Sequence, residues 1–318
     1  MFVNEKIETR SFEERDAAQG RQLQAIIERA YKKTTFYQDR LHALQLTPES
    51  FQTIRDFARL PFLTDADLIA NHPFGLLTLP LSGIARLQAR KDGQSAVALT
   101  QDDLTNQLEM IARGLISCNV TRSSVLLLLA DELELALVSA VQQAAEAIGA
   151  TVIVSQHASV KTSIKQIFDY GVTTLFSAPS SMLKLADCLR ELGFDAHELS
   201  LLNLFSPALL CPPNLRQTLE QDFQAPLYEM YGAESLLPCG IASACHAQAG
   251  LHVQDDHFYP EIVNFSSGSL CAPGERGELV LTTLSREGAP LLRYRTGTEA
   301  SLDLPPCSCG RTTPRLHF

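Results

Sequence analysis

From about residue 123 to residue 226 the chain alternates apolar runs with amphipathic segments, and this alternation restricts the fold more than any other feature. SVLLLLA, ATVIVS, VTTLFSAP and LSLLNLFS are short and apolar, as buried strands are. Between them, ELALVSAVQQAAEAIG, SVKTSIKQIFDYG and SSMLKLADCLRELG place apolar residues at helical spacing, and each ends on glycine, a common helix stop. PPNLRQTLEQDF follows as a helix opened by prolines. Strands that alternate with helices predict a parallel sheet covered by helices, an α/β fold.

The flanks read differently. Residues 13 to 45 are helical in character, with Leu23, Ile26, Ile27, Ala30 and Tyr31 at helix spacing. Thr47 before Pro48 and Thr64 before Asp65 look like starts of short helices. SGIARLQARKDGQSAVALT reads as two strands around a turn at Lys91-Asp92-Gly93-Gln94, and Thr100 as the N-cap of the next helix. After Pro226 the pattern changes. HFYPEIVNF, GELVLTTL and PLLRYRTG are short strands separated by Gly/Pro turns, a more antiparallel signature. The expected division is a helical start and α/β sheet region over 1–226 and a β-rich remainder over 227–318. The sequence has no internal repeat, no low-complexity segment and no sharp linker.

With 318 residues, 45% of them hydrophobic, the chain can bury a full core. A formal net charge of -10 argues against a general nucleic-acid binder, which needs clustered Lys and Arg. The N-terminus, MFVNEKIETRSFEERD, is charged and lacks the apolar core of a secretory signal. The most apolar run, residues 123 to 141, is interrupted by Asp131, Glu132 and Glu134, whereas a membrane span needs roughly 20 apolar residues. The expectation is a cytoplasmic protein without a membrane partner, whose eight cysteines are reduced thiols.

Two of those cysteines raise a question. PPCSCGRTTPRL, residues 305 to 316, sets Cys307 and Cys309 one residue apart near the end of the chain. A disulfide between them would be strained. The thiols are idle, or pair with distant cysteines, or hold a metal.

YEMYGAES (228 to 235), GLHVQDDHFYPEI (250 to 262), GERGELVLTTLSREGAPLLRYRTG (274 to 297) and PCSCGRT (306 to 312) occur in a characteristic order. Together they closely resemble the phenylacetate–coenzyme A ligase family of the adenylate-forming, AMP-binding superfamily. AIIERAYKKTTFYQDRL, FARLPFLTDADLIANHPFG and TTLFSAPSSMLKLADCLRELGFD extend the likeness upstream over nearly all of the chain. The resemblance implies the large N-terminal domain of an adenylate-forming enzyme, with helix-flanked sheets and a smaller β-rich subdomain. It implies a reaction in which an aryl or acyl carboxylate attacks the α-phosphate of ATP, after which coenzyme A takes the acyl group. It implies ATP, AMP and Mg²⁺ as ligands, with nucleotide-binding positions at Tyr231, Gly232, Ala233, Glu234, Ser235 and Thr298. The family's closing domain would begin about where this chain stops, at Phe318, so the lysine-bearing lid is expected to be absent from it.

Several positions depart from the family pattern. The Ser/Thr/Gly-rich phosphate loop is replaced by ARKDGQSAV, residues 89 to 97, which reads as a surface hairpin. In YGAES the acid and hydroxyl, Glu234 and Ser235, stand in inverted order, and a one-residue shift re-aims a side chain. Where the family has an aspartate that grips both ribose hydroxyls, this chain has Thr298, with Glu299 displaced by one. A glycine-rich stretch after the first strand and a GAEPW-like stretch, here SPALL, are also lost. The expected protein is a degenerate ligase-like member with no assignable catalytic residue. The alternatives are an active N-terminal domain served by a separately encoded C-terminal domain, and a non-catalytic scaffold with a protein partner or a second copy.

The resemblance also answers the cysteine question. Members with a C-x-C-G-R-T ending carry a Cys and a His upstream, here Cys245 and His252. Cys245, His252, Cys307 and Cys309 form a Cys₃His set suited to structural Zn²⁺, with His246 as the alternative nitrogen ligand. His257 reads as structural, and Asp255 and Asp256 as a solvated turn. Arg293 and Arg295 are expected on one face, meeting a ligand anion or pairing with acids such as Glu278.

Overall fold

The computed structural model describes residues 1–318 apart from the side chains of Arg55 and Ala196. The chain opens with helices α1 (Glu5–Glu8), α2 (Phe12–Lys33), α3 (Thr35–Ala43) and α4 (Asp65–Ala70), then the hairpin β1 (Arg86–Ala89) and β2 (Ala96–Leu99) and helix α5 (Gln101–Ser117). The alternating region follows as β3 (Val125–Leu129), α6 (Leu135–Ile148), β4 (Thr151–Ser155), α7 (Val160–Tyr170), β5 (Thr174–Phe176), α8 (Pro179–Leu192), β6 (Asn203–Pro207) and α9 (Pro213–Phe223). The rest is strands: β7 (Leu227–Ala233), β8 (Leu237–Ser243), β9 (Leu251–Val253), β10 (Phe258–Val263), β11 (Gly277–Thr283), β12 (Tyr294–Asp303) and β13 (Arg315–His317). No helix among the described residues is long and apolar enough to cross a membrane.

Contacts divide the chain into two units. The first comprises Met1–Asn4, Gln107–Ala233 and Leu237–Leu251; the second comprises Glu5–Asn106, Glu234–Leu236 and His252–Phe318. In the first unit the sheet runs β8-β7-β6-β5-β3-β4. Its pairs are parallel except β7–β8, which is antiparallel. Successive side chains of a strand face opposite sides. Leu127, Leu129, Leu175 and Leu204 are covered on one side by Ile164 and Ile167 of α7, Met182 and Leu185 of α8, and Leu219 of α9. Burying each such side chain stabilises the fold by about 1.5–3 kcal/mol. The glycine stops work as expected: Gly149, Gly171 and Gly193 all adopt the left-handed conformation that closes a helix.

The second unit carries the antiparallel pairs β10–β11, β11–β12 and β12–β13, and Val253 of β9 bonds to the Pro314 carbonyl (2.8 Å). Helix α2 starts with a capping box, Ser11 and Glu14 each bonding the other's backbone N–H, and buries Leu23, Ile26, Ile27 and Ala30. Buried ion pairs fix the N-terminal helices to the strands' loops: Glu8 with Arg311 (2.7 Å) and Arg15 with Asp255 (2.5 Å). The expected solvated turn is therefore wrong for Asp255, which is 3% exposed beneath α2. His257 is structural, its Nδ1 sharing a hydrogen bond with Ser285 Oγ (2.7 Å).

The segment PLLRYRTG is only partly a strand. Residues 290–293 precede β12, and Arg293 has φ +51°. There the backbone N–H groups of Leu291 and Arg293 find the Thr283 and Thr282 hydroxyls (3.0 and 2.9 Å) instead of a ladder partner. Arg293 and Arg295 do share a side, both guanidinium groups lying over the Phe62 ring at 4.2 and 5.4 Å. Each pairs with an acid, Arg293 with Glu261 (3.0 Å) and Arg295 with Glu278 (2.7 Å from Nε).

Candidate functional site

Residues 89–97 form the β1–β2 hairpin, closed by bonds from Gly93 N to Arg90 O and from Arg90 N to Ser95 O, both 3.0 Å. Gly93 sits at φ +66°, where a side chain would be strained. The tip folds back on its own neighbours. Arg90 Nη1 donates to Asp65 Oδ1 and to Ser235 Oγ, each at 2.6 Å. Tyr294 Oη donates to the same Asp65 oxygen (2.6 Å), and Lys91 N donates to Glu234 Oε1 (2.6 Å). Four segments far apart in sequence thus close into one knot.

The electrostatics agree with the geometry. Burial pushes the Asp65 carboxyl up, but the hydrogen bonds from Arg90 and Tyr294 outweigh it and hold the group below the usual carboxylate range. Asp65 in turn holds the Arg90 guanidinium charged beyond its ordinary value. Burial, reinforced by the Asp65 charge, pushes the Tyr294 phenol up, so it stays a donor.

The remaining expected nucleotide positions are dispersed. Tyr231 is 1% exposed in β7. Gly232 lies where the β7–β8 register shifts, and a Cβ there would meet Pro238 O at 2.2 Å, so backbone crowding alone requires glycine. Ala233 ends β7, half-buried. Thr298 is half-buried in β12, and its N–H bonds to Thr296 Oγ1 (3.2 Å). The displaced acid, Glu299, is paired with Arg276 (3.0 Å), an exposed bridge.

A second cluster lies elsewhere in the second unit. His252, Cys307 and Cys309 bring their ligand atoms within 4.8 Å of one another, a Cys/His cluster able to hold a metal. Cys309 Sγ is 3.4 Å from His252 Nε2. The other ring nitrogen, Nδ1, bonds to Thr313 Oγ1 (2.9 Å), which fixes the imidazole with Nε2 toward the sulfurs. Cys307 and Cys309 stand on a tight turn, with Gly310 N bonded to Cys307 O (3.0 Å) and Cys307 N to Arg311 O (2.9 Å). Cys245 belongs to the first unit, buried, seven positions before His252 in the chain. All eight cysteines are free thiols.

Three contributing residues were not singled out in the sequence. Asp65 reads there only as the residue after Thr64 at the start of a short helix, and Thr313 carries no reading of its own. Arg286, buried with its Nη2 donating to the Leu236 carbonyl (2.6 Å), has no local signal in the sequence. Their roles come from contacts long in sequence, which no local pattern announces.

Comparison with known proteins decides the ancestry. No family model matches the chain. It is 30% identical over 311 residues to the phenylacetate-coenzyme A ligase of Escherichia coli (strain K12), covering 93% of this chain and 70% of that protein. The chain belongs to the phenylacetate–coenzyme A ligase family. The enzyme of the same name from Thermus thermophilus is 28% identical over 323 residues, covering 99% of this chain and 72% of that protein. The fold matches a 2-hydroxyisobutyryl-CoA ligase solved in an open conformation with 2-HIB-AMP and CoA, at TM-score 0.89 and 22% identity, over 98% of this chain and 70% of that one. An amide bond synthetase from Marinactinospora thermotolerans matches more loosely, at TM-score 0.54 and 18% identity over 74% of this chain and 49% of that one. The α/β architecture expected from the sequence is the family's.

Proposed function

We infer that this chain is a catalytically impaired member of the family that keeps a structural zinc site. The observation that carries the reading is the knot around Asp65. Positions that the family resemblance assigns to phosphate and metal are bonded to one another: Arg90 to Ser235 and Asp65, Lys91 N to Glu234. The residues present do not fit a triphosphate with Mg²⁺. The N–H of Lys91 faces a carboxylate, the acid after YGA is spent on it, and Thr298 offers the ribose no charged acceptor. Losing one preorganised electrostatic contact costs roughly 2.7–4 kcal/mol of barrier lowering, and several such losses, though not simply additive, remove most of the rate.

The zinc reading takes its ligand set, Cys245, His252, Cys307 and Cys309, from the family resemblance, a Cys₃His set of the kind that closes a structural site. The fit is supported by three gathered ligand atoms, the Thr313 bond that aims Nε2, and a short chain path back to Cys245. Bound there, zinc supplies folding energy and no reaction step. The thiolates it needs imply a reducing compartment, the cytoplasm.

Pyrophosphate exchange with ATP, Mg²⁺ and phenylacetate tests the impairment. We expect no exchange above a blank without acid, and exchange above that blank defeats the reading. The chain spans about 70% of the length of the curated relatives it matches. The alternative reading is an active aryl- or acyl-CoA ligase N-terminal domain that works with a separately encoded C-terminal domain. Exchange that appears only when such a domain is added selects it. If neither nucleotides nor aryl acids give heat in calorimetry, a scaffold role with a protein partner or a second copy is what stands.

A further inference from the structure

Strand β4 ends the sheet of the first unit, and among the described residues it pairs with β3 alone. Its ladder begins with the Thr151 N–H on the Ser124 carbonyl (3.0 Å) and ends with the Ala130 N–H on the Ser155 carbonyl (2.9 Å). In a parallel ladder a residue turns both backbone groups to one side and the next residue turns them to the other. Thr151, Ile153 and Ser155 therefore serve β3, while Val152 and Val154 point their N–H and C=O groups off the sheet. Among the described residues nothing accepts or donates to those groups. The strand reads TVIVS and has none of the lysine, proline or bulge that guards an open edge, and its Val154 is 40% exposed.

Strand β10 of the second unit is also a terminal strand, and it is guarded. The Phe258 N–H bonds to the Gln254 carbonyl (2.9 Å), Pro260 has no N–H to offer, and the Ile262 carbonyl accepts from the Cys271 N–H (2.9 Å). The two edges are thus treated differently within one chain. With β10 closed, association through β4 stops at two chains instead of growing into a filament.

We propose that β4 is a dimer edge, paired antiparallel with β4 of a second copy about a two-fold axis at Ile153. That register sets each Val152 opposite Val154 of the other copy, where the two residues exchange both backbone bonds. Every outward backbone group of these two residues is then used, and the valine side chains cover each other across the strands. Ile153, which packs on the core cluster of the first unit, meets Ile153 of the second copy. A slip by two residues in one direction would set Val154 against Ala150, whose N–H is already held by the Ala145 carbonyl (3.1 Å).

The flanks fit the same register. Arg122 lies beside Gly149, just before the strand, where a Cβ on the glycine would stand 3.4 Å from the Arg122 Cβ. Asp131 accepts from the His157 N–H (2.5 Å), just after the strand. Antiparallel pairing about Ile153 brings position 149 of one copy opposite position 157 of the other. Exposed Arg122, which no acid pairs with among the described residues, then stands beside Asp131 of the second copy. The edge complements itself in backbone and in charge, which favours a second copy over an unrelated strand. This pairing needs neither zinc nor nucleotide.

Sedimentation velocity on the purified chain, with amide exchange read residue by residue, tests it. A reversible monomer–dimer equilibrium is expected between about 1 and 100 μM, as suits a small contact. As dimer forms, the Val152 and Val154 amides should slow about tenfold or more, while the Ile153 and Ser155 amides, held by β3 in both states, stay as they are. Val154→Lys puts a charge on the edge at an exposed position and should weaken the dimer about tenfold or more. Arg122→Glu should weaken it less, and added salt should weaken the natural dimer in the same sense. The exchange pattern needs only the natural chain, so it stands even if a variant folds poorly. A chain that stays monomeric throughout that range overturns the proposal and leaves the edge to a strand of another protein. A dimer whose Val152 and Val154 amides exchange as fast as the monomer's lies on another surface and overturns it too. So does a dimer untouched by a folded Val154→Lys, or a series of species larger than a dimer, whatever the pyrophosphate exchange shows.

Discussion

Two corners of the second unit invite comparison. Around Cys307 stand the residue types that the proposed zinc site needs: two thiols on a tight turn and an imidazole aimed by Thr313. Around Asp65, the corner proposed above to have lost its ligand contacts, Arg90 bonds to Asp65 and Ser235, and Lys91 N bonds to Glu234. Both corners join segments distant in sequence, so fold topology alone does not explain the contrast. A residue that ties the fold together is needed in every molecule. One that touches only a ligand is needed only when the ligand is bound. Once such a group is free to change, partly buried polar atoms still need partners, and they find them in each other. On this view, what survives of the family's motifs is mainly what the fold needs.

The largest effect should come from the thiol corner. We expect about one zinc per chain in protein purified without added metal, and loss of it in Cys309→Ser. At roughly 2–4 °C per kcal/mol for a chain of this class, a metal worth even about 4 kcal/mol lowers Tm by on the order of 10 °C when chelated. Metal content near zero, with a Tm indifferent to chelator, breaks the comparison at its stronger end. The next effect comes from Arg293, kept in LLRYRTG. Arg293 and Glu261 are both 4% exposed on their side chains and bonded at 3.0 Å. Burial pushes the Glu261 carboxyl up despite the cation beside it. Arg293→Met leaves that acid unpaired and should cost about 3–5 kcal/mol in urea unfolding, whereas Arg293→Met with Glu261→Leu should recover most of it. If the single variant is as stable as the natural chain, the kept motif is not there for the fold.

The same contrast explains what the sequence could and could not reveal. β3, β5 and β6 with their helices were legible because a buried parallel strand is a continuous apolar run, β4 because its edge strand is still rich in β-branched residues, and Gly149, Gly171 and Gly193 punctuate the region. Strands β7, β8, β9 and β13 were not, since nothing local marks a strand whose partners lie far along the chain. β12 was read four residues early because Leu291 and Arg293 look like strand residues, while their N–H groups actually bond to threonine hydroxyls. The hairpin at 86–99 was legible from its turn residues. Its attachment to Asp65 was not, because Asp65 and Arg90 are 25 positions apart. Arg286 looks like any surface cation until its 5% exposure is known.

The smallest effect tests the replaced corner. Asp65 is half-exposed, so its bridge to Arg90 should contribute no more than about 1 kcal/mol to global stability. Its local signature is pH. The folded carboxyl titrates below an ordinary aspartate, so its contribution is present above the unfolded value of about 3.9 and is lost as pH falls through the folded value. The hairpin should therefore stay latched at neutral pH and loosen only in acid. Amide exchange at Lys91, whose N–H is tied to Glu234, should speed up over that window, and Asp65→Asn should flatten the dependence. Arg90→Ala opens the same knot at neutral pH without restoring a carboxylate at position 298. If that variant exchanges pyrophosphate, the latch alone silences the site and the family machinery beneath it is intact. If it loosens the hairpin and still fails to exchange, the missing ligand contacts are the cause, and the two corners differ for the reason argued here.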